Sequence, residues 1–222
     1  MIIGLVGFAG SGKGTVGDIL VEKYDYCKLS FADAVKDATS AIFGWPRNLL
    51  EGDTDASRIF REEKDVFWSA RFGYDVTPRH MLQLMGTEAG RNVFHTDLWV
   101  HTVERRIAYK QEWEFETNFV IPDVRFPNEI DAIRKMGGIV IRVKRGDEPE
   151  WYHTALSDNR SECEPKVSQM SIHYPSIHYS EWAWIGQKFD GYIMNDHDIK
   201  ELHESVSLLL QTCKNYDSIE NL

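Results

Sequence analysis

The chain lacks any apolar run long enough to cross a bilayer. Its longest, such as Ile2 to Phe8 and Val206 to Leu210, fall far short of the roughly 20 residues a spanning helix needs, so no membrane partner is expected. It is also poor in cysteine. Cys27, Cys163 and Cys213 are odd in number, far apart and free of any Cys-x-x-Cys pairing, which argues for reduced thiols and against a disulfide framework. An excess of basic charge is missing too. With 25 Lys and Arg against 35 Asp and Glu the formal charge is -10, which disfavours a nucleic-acid polymer as partner, because such binding needs a basic face. No basic segment or small-residue cleavage site surrounds Ile2, Ile3 and Leu5, so a signal peptide is not expected and the cytoplasm is the expected compartment. His153, His173, His178 and Cys163 match no zinc-finger spacing. Repeats and low-complexity tracts are absent.

What is present is an ordinary globular mixture, 42% hydrophobic and 27% charged over 222 residues, enough for one α/β domain with an insertion. Ile2 to Val6 is a buried-strand pattern that runs into a glycine cluster. Val16, Ile19, Leu20 and Tyr24 then recur at helical spacing. Cys27 to Phe31 is a weak strand, and Ser30 with Asp33 resembles a capping box for a helix that stops at Gly44. Residues 45–115, rich in aromatics and arginine and without strand alternation, read as a helical insertion. Within it, Thr77 and Pro78 open a helix that Gly86 closes.

Phe119 to Ile121, the helix after Pro127, and Ile139 to Val143 form a strand, helix, strand unit with a parallel crossover. Residues 145–188 are a long excursion with a lid role. Gly191 to Met194 gives a last strand, and Asp198 caps a helix with the stripe Ile199, Leu202, Val206, Leu209, Leu210 and Cys213. The alternation predicts a three-layer sandwich, a mostly parallel five-stranded sheet with helices on both faces, and ligands at the carboxyl ends of its strands.

Between the first strand and helix lies Gly7-Phe8-Ala9-Gly10-Ser11-Gly12-Lys13-Gly14-Thr15, the Gly-x-x-x-x-Gly-Lys spacing of a P-loop in its required context. Glycines let backbone N–H groups approach phosphate oxygens, and the helix N-terminus adds its dipole. Gly10, Ser11, Gly12, Lys13, Gly14 and Thr15 are therefore candidates for binding ATP, with Lys13 at the β- and γ-phosphates and the Thr15 hydroxyl on Mg²⁺. Gly14 pushes that hydroxyl one place beyond the commoner Gly-Lys-Ser/Thr form.

Asp123-Val124-Arg125-Phe126-Pro127-Asn128-Glu129 leaves the sheet where a second ligand would lie. Asp123 suits Mg²⁺ through water or a sugar hydroxyl, Arg125 a phosphate clamp, and Glu129 a hydrogen-bond acceptor for substrate or for the arginine. An acidic helix start with a surface ion pair is the plainer alternative. Arg145 follows the fourth strand at the mouth of the excursion, where P-loop kinases, which the glycine loop resembles, often place an arginine over the transferring phosphoryl group. Lys36 divides between a phosphate contact and a solvated helix face.

The loop Gly-x-x-Gly-x-Gly-Lys-Gly-Thr resembles that of adenylate-kinase-like nucleoside monophosphate kinases, with Ala9 in place of their usual proline. Further blocks narrow the resemblance. Phe31-Ala32-Asp33 with Lys36, Leu82-Gln83 followed by Gly86-Thr87-Glu88, Asp97 with Trp99, Asp123-x-Arg125-x-x-x-Glu129, His178-x-Ser180-Glu181, and Asp190 through Asn195 together resemble bacteriophage deoxynucleoside monophosphate kinases. That resemblance implies transfer of the γ-phosphoryl group of ATP to a deoxynucleoside monophosphate, with MgATP and the monophosphate as small-molecule partners. It implies Arg79 and Arg125 on the acceptor phosphate, Asp123 and Glu129 on acceptor or metal, Trp99 near the acceptor base, and Asn195 beside the ATP base. Trp99 as a core residue, Gln83 as a backbone cap instead of a base reader, and Asn195 as a turn residue stay open. So do a different small-molecule kinase resembling dephospho-coenzyme A kinase, a nucleotide-gated binding module, and a homodimer.

Overall fold

The computed structural model describes residues 1–113, 117–161 and 168–220; Cys163 and Phe115, used above as a thiol and as a boundary, lie outside them. The elements run β1 (Ile2–Val6), α1 (Lys13–Tyr24), β2 (Tyr26–Lys28), α2 (Asp33–Phe43), a 3-10 turn (Arg47–Leu50), α3 (Asp55–Glu62), α4 (Val66–Phe72), α5 (Pro78–Gln83), a π-helix (Leu84–Phe94) and α6 (Leu98–Trp113). They continue with β3 (Asn118–Ile121), α7 (Pro127–Lys135), β4 (Ile139–Lys144), α8 (Tyr152–Arg160), α9 (Gln169–His173), a 3-10 turn (Tyr179–Glu181), β5 (Gly191–Met194) and α10 (Ile199–Glu220). No described helix is long and apolar enough to cross a membrane. The described free thiols are Cys27 and Cys213.

Two compact units result, one of Met1–Lys28 with Glu116–Leu222, the other of Leu29–Phe115. The first holds one five-stranded sheet in the order β2-β3-β1-β4-β5, parallel throughout, which is the predicted α/β architecture. Ile3, Leu5, Val120, Ile141, Val143 and Ile193 pack on Val16, Ile19 and Leu20 of α1 and Leu202, Val206 and Leu210 of α10. The opposite face takes α7. There Gly4 sits in the central strand because a Cβ would come within 2.5 Å of Ile133 Cδ1. Asp198 Oδ1 accepts from the amides of Lys200 and Glu201 and so starts α10, but Ile199, expected in the apolar stripe, is exposed.

The excursion is described at 145–161 and 168–188. Ala155, Met170, Trp184 and Ile185 are buried, and the Asp158 carboxylate accepts from Ser168 Oγ and from the amides of Gln169 and Met170, tying α8 to α9.

The second unit contains helices and turns and, among the described residues, no strand. It opens at Leu29, ahead of the Trp45 boundary read from composition, because α2 makes its contacts with α5, α6 and the π-helix. At the start of α2, Ser30 Oγ accepts from the Ala32 amide at 3.1 Å, and the Ser30 carbonyl accepts from the Asp33 amide at 3.3 Å. Trp45, Leu50, Val76 and Met81 form the unit's apolar cluster. Thr77 caps α5 by accepting from the His80 amide. Gly86 does not end that helix, which widens into the π-helix and runs to Phe94. The glycines serve close packing here: a Cβ at Gly90 would lie 2.3 Å from the Trp99 ring.

Candidate active site

In the sheet unit, four strand ends carry the chemistry-bearing residues. The P-loop follows β1, Asp123 and Arg125 follow β3, Arg145 follows β4 and Asn195 follows β5. The central strand β1 lies between β3 and β4, where the chain's crossovers reverse direction, and this is where an open α/β sheet leaves a crevice.

Gly7, Gly10 and Gly12 take φ of 150°, 79° and 100°, values that side chains with a Cβ rarely adopt. No side chain caps the N-terminus of α1, so its first amides and the positive end of its dipole are left for an anion. Ser11 Oγ is buried without a hydrogen-bond partner, another donor awaiting an acceptor. The Thr15 side chain is exposed at the same helix start. A hydroxyl beside an uncapped amide cradle fits a hydrated Mg²⁺ carried in by a polyphosphate.

The loop is clamped from two directions. Asn195 Nδ2 donates to the Ser11 carbonyl at 2.9 Å, and a Cβ at Gly12 would meet that same nitrogen at 2.3 Å. Asn195, expected beside the ATP base, therefore shapes the loop itself. On the other side, the Phe8 ring meets Trp151 at 5.3 Å and Trp184 at 4.8 Å between centroids. The buried Arg142 guanidinium stacks 4.9 Å from the Trp184 ring and pairs with both oxygens of Glu148. Residues of the excursion thus hold the P-loop in shape.

Lys13 Nζ donates to the carbonyls of Gly7 and Phe8, each at 2.7 Å, so the ammonium is curled onto its own loop. Burial, and then the Arg125 charge, lower its pKa from 10.5 to about 8, with Glu181 and Asp123 opposing. A shift of this size from desolvation and a named charged neighbour is typical of a working site. It also places Arg125, Glu181 and Asp123 within electrostatic reach of the P-loop lysine.

The Arg125 guanidinium bonds the Glu181 carboxylate through Nη1 and reaches Ser180 Oγ at 3.5 Å. Burial works against its charge, while Glu181, Asp123 and Glu129 more than offset that and raise its pKa. Glu181 is fixed in turn: its carbonyl accepts from Trp184 Nε1 at 3.0 Å, and His178 Nδ1 holds Ser180. Glu129 is only 2% exposed, and its Oε2 accepts from the amides of Arg125 and Phe126 at 2.7 and 3.0 Å. It builds the turn that presents Arg125, which fits the second of the two roles expected of it, orienting the arginine. Arg145 is exposed on the loop after β4.

The remaining expected residues lie in the helical unit, each with a local engagement. Lys36 Nζ bonds Glu51 at 2.6 Å and Arg79 pairs with Glu62. Gln83 is half-buried at the last turn of α5. Trp99 is 7% exposed, and its Nε1 donates to the Gly86 carbonyl at 2.7 Å. The structure packs it against Gly90, in line with the core reading left open for it.

Glu181 is the residue that reading the sequence missed. Its only signal was membership of the His178-x-Ser180-Glu181 block, because its partner Arg125 is 56 positions away.

Comparison with known proteins bears on this site. Residues 51–155 match the family described as deoxynucleotide monophosphate kinase. A protein of Acanthamoeba polyphaga mimivirus named as a deoxynucleotide monophosphate kinase is 31% identical over 154 residues, covering 65% of this chain and 74% of that one. A deoxynucleoside-5'-monophosphate kinase of Escherichia phage T5 is 27% identical over 219 residues, covering 73% of this chain and 84% of its own. Among solved structures, dephospho-CoA kinase from Campylobacter jejuni overlays with a TM-score of 0.45 at 13% identity, covering 95% of this chain and 96% of that one.

Proposed function

The chain belongs to the deoxynucleotide monophosphate kinase family, and from that premise we propose that it moves the γ-phosphoryl group of ATP onto a deoxynucleoside 5'-monophosphate, giving ADP and a deoxynucleoside diphosphate. The observation that carries this reading is the pair of cations at one sheet edge. Lys13 lies on an uncapped P-loop, and Arg125 lies close enough to depress its pKa. One polyphosphate and one further anion are what such a pair accommodates.

The derived mechanism begins with Lys13 exchanging the Gly7 and Phe8 carbonyls for the β- and γ-phosphate oxygens of ATP. Arg125, with one nitrogen on Glu181, keeps its other N–H donors for the acceptor phosphate. An oxygen of that phosphate attacks the γ-phosphorus in line while the bond to the β–γ bridging oxygen breaks. Lys13 and Arg125 compensate the charge that spreads over the transferring group. Thr15, with Asp123 through water, would hold Mg²⁺, which supplies further neutralisation of the phosphates when bound. Because the acceptor oxygen itself attacks the γ-phosphorus, no covalent nucleophile from the protein is needed.

Arg145 is proposed as a further contact to the phosphoryl group, and Lys36, Arg79 and Gln83 as secondary contributors to acceptor binding. The relatives belong to a phage and a giant virus, which supports the host cytoplasm as the place of action. The test is incubation with MgATP and a panel of ribo- and deoxyribonucleoside monophosphates, with dephospho-coenzyme A alongside. Diphosphate formation from at least one deoxynucleotide is expected. ADP release without any deoxynucleoside diphosphate would overturn the reading.

A further inference from the structure

Within the helical unit, the short link between the π-helix and α6 gathers metal-ligating groups that the phosphotransfer reading does not use. One ligand atom from each of His95, Asp97 and His101 lies within 4.8 Å of the others. The rings of His95 and His101 are 5.6 Å apart between centroids. Both imidazoles are exposed, so an ion could reach them without unfolding anything.

The backbone of the link is ordered by its own bonds. The Leu98 amide donates to the His95 carbonyl at 2.9 Å, the His101 amide to the Asp97 carbonyl at 2.9 Å, and Arg91 Nη1 to the Thr96 carbonyl at 3.1 Å.

A second observation concerns how His101 is held. Its Nδ1 is 2.7 Å from Glu104 Oε2, one helical turn on. A carboxylate on Nδ1 favours the tautomer with the proton there, which leaves the lone pair on Nε2. It also makes the ring a better donor, as outer carboxylates do in histidine metal sites.

We infer that His95, Asp97 and His101 form a binding site for a divalent transition-metal ion of the zinc type, with Glu104 as the outer carboxylate and water completing the coordination. Two imidazoles and one carboxylate suit Zn²⁺, Co²⁺ or Ni²⁺, whereas Mg²⁺ demands near-octahedral oxygen ligation. Asp97 and Glu104 supply two negative charges to balance the ion. Loading has an identifiable cost at His95, whose Nδ1 now accepts from the Asp97 amide at 3.1 Å. An ion either takes that lone pair or, at Nε2, sends the ring proton to Nδ1, and in both cases this amide contact is given up. The ligand atoms must also draw closer than 4.8 Å, which side-chain rotation at exposed positions allows. Once bound, the ion ties the end of the π-helix to the first turn of α6, beside Trp99.

The site is independent of phosphotransfer, so it is tested without turnover. The full-length protein, stripped with chelator, is titrated with ZnCl₂ and, separately, MgCl₂ by calorimetry, and the metal-free melting temperature is recorded for every variant. The expected result is one zinc site that rejects magnesium, weakened at least tenfold by His95→Ala and by His101→Ala. Glu104→Gln, which keeps all three ligands, is expected to weaken it about tenfold. Zinc binding of unchanged affinity in both histidine variants would overturn the inference, and so would magnesium binding as tightly as zinc.

Discussion

The candidate site cations of the two units are held differently, although the sheet unit has locally paired cations of its own, such as Arg142 with Glu148 and Arg134 with Asp190. In the helical unit they are matched locally by acids: Lys36 meets Glu51, Arg79 meets Glu62, and Arg47 and Arg106 share Asp33 and Asp37. In the sheet unit Lys13, at a helix start that no side chain caps, has only carbonyls, and Arg125 shares its charge with Glu181. An ammonium resting on carbonyls loses little when a phosphate replaces them, while one resting on a carboxylate must give up an ion pair. The comparison therefore ranks the cations by their readiness for phosphate, with Lys13 first, Arg125 next and the helical unit's residues last.

The largest effect should come from Lys13→Ala, which is expected to lower transfer about a thousandfold or more while leaving the fold intact. Near-normal turnover would break the comparison at its strongest point. The charge of Lys13 also sets a pH limb. Because its pKa falls to about 8, kcat/KM for ATP should drop roughly tenfold per pH unit above that value, and Lys13→Arg should abolish the limb. The stability linkage has a definite sign: between about 8 and 10.5 the unfolded chain binds more protons at this lysine than the folded one. Stability from this group therefore rises with pH across that window, and Lys13→Met should flatten the rise in denaturant titrations.

Glu181→Gln removes the charge that orients Arg125. A charge-assisted hydrogen bond contributes about 1.5–3 kcal/mol, so kcat/KM for the monophosphate should fall roughly tenfold with KM for ATP nearly unchanged. A gain in monophosphate affinity would mean that Glu181 competes with the phosphate and does not position the arginine. The smallest effect is expected from Arg79→Ala. Its exposed pair with Glu62 is worth at most about 1 kcal/mol, and the monophosphate KM should rise only a few-fold. A loss as deep as that of Lys13→Ala would erase the distinction between the units.

The sequence was most legible where geometry is local. The P-loop is nine contiguous residues whose glycines and lysine state their own roles, and four strands of the sheet announced themselves by apolar runs ending in turn residues; the weak run read at Cys27 to Phe31 proved to be a strand at Tyr26–Lys28 only. Legibility failed where a role depends on distant partners. Asn195 binds Ser11 from 184 positions away, so nothing near it distinguished a loop clamp from a base contact. Glu129 looked available as a ligand until folding buried it against two amides. Gly86 carried an ordinary stop signal, yet the chain runs on past it as a wider coil to Phe94, with Gly90 packed against Trp99.

The central claim is that Lys13 and Arg125 serve two different anions. It is tested most directly by measuring, on Arg125→Ala, the equilibrium binding of a non-hydrolysable ATP analogue and of the accepted deoxynucleoside monophosphate in separate titrations. The account predicts at least a tenfold greater loss for the monophosphate than for the ATP analogue. Equal losses for the two ligands would contradict it.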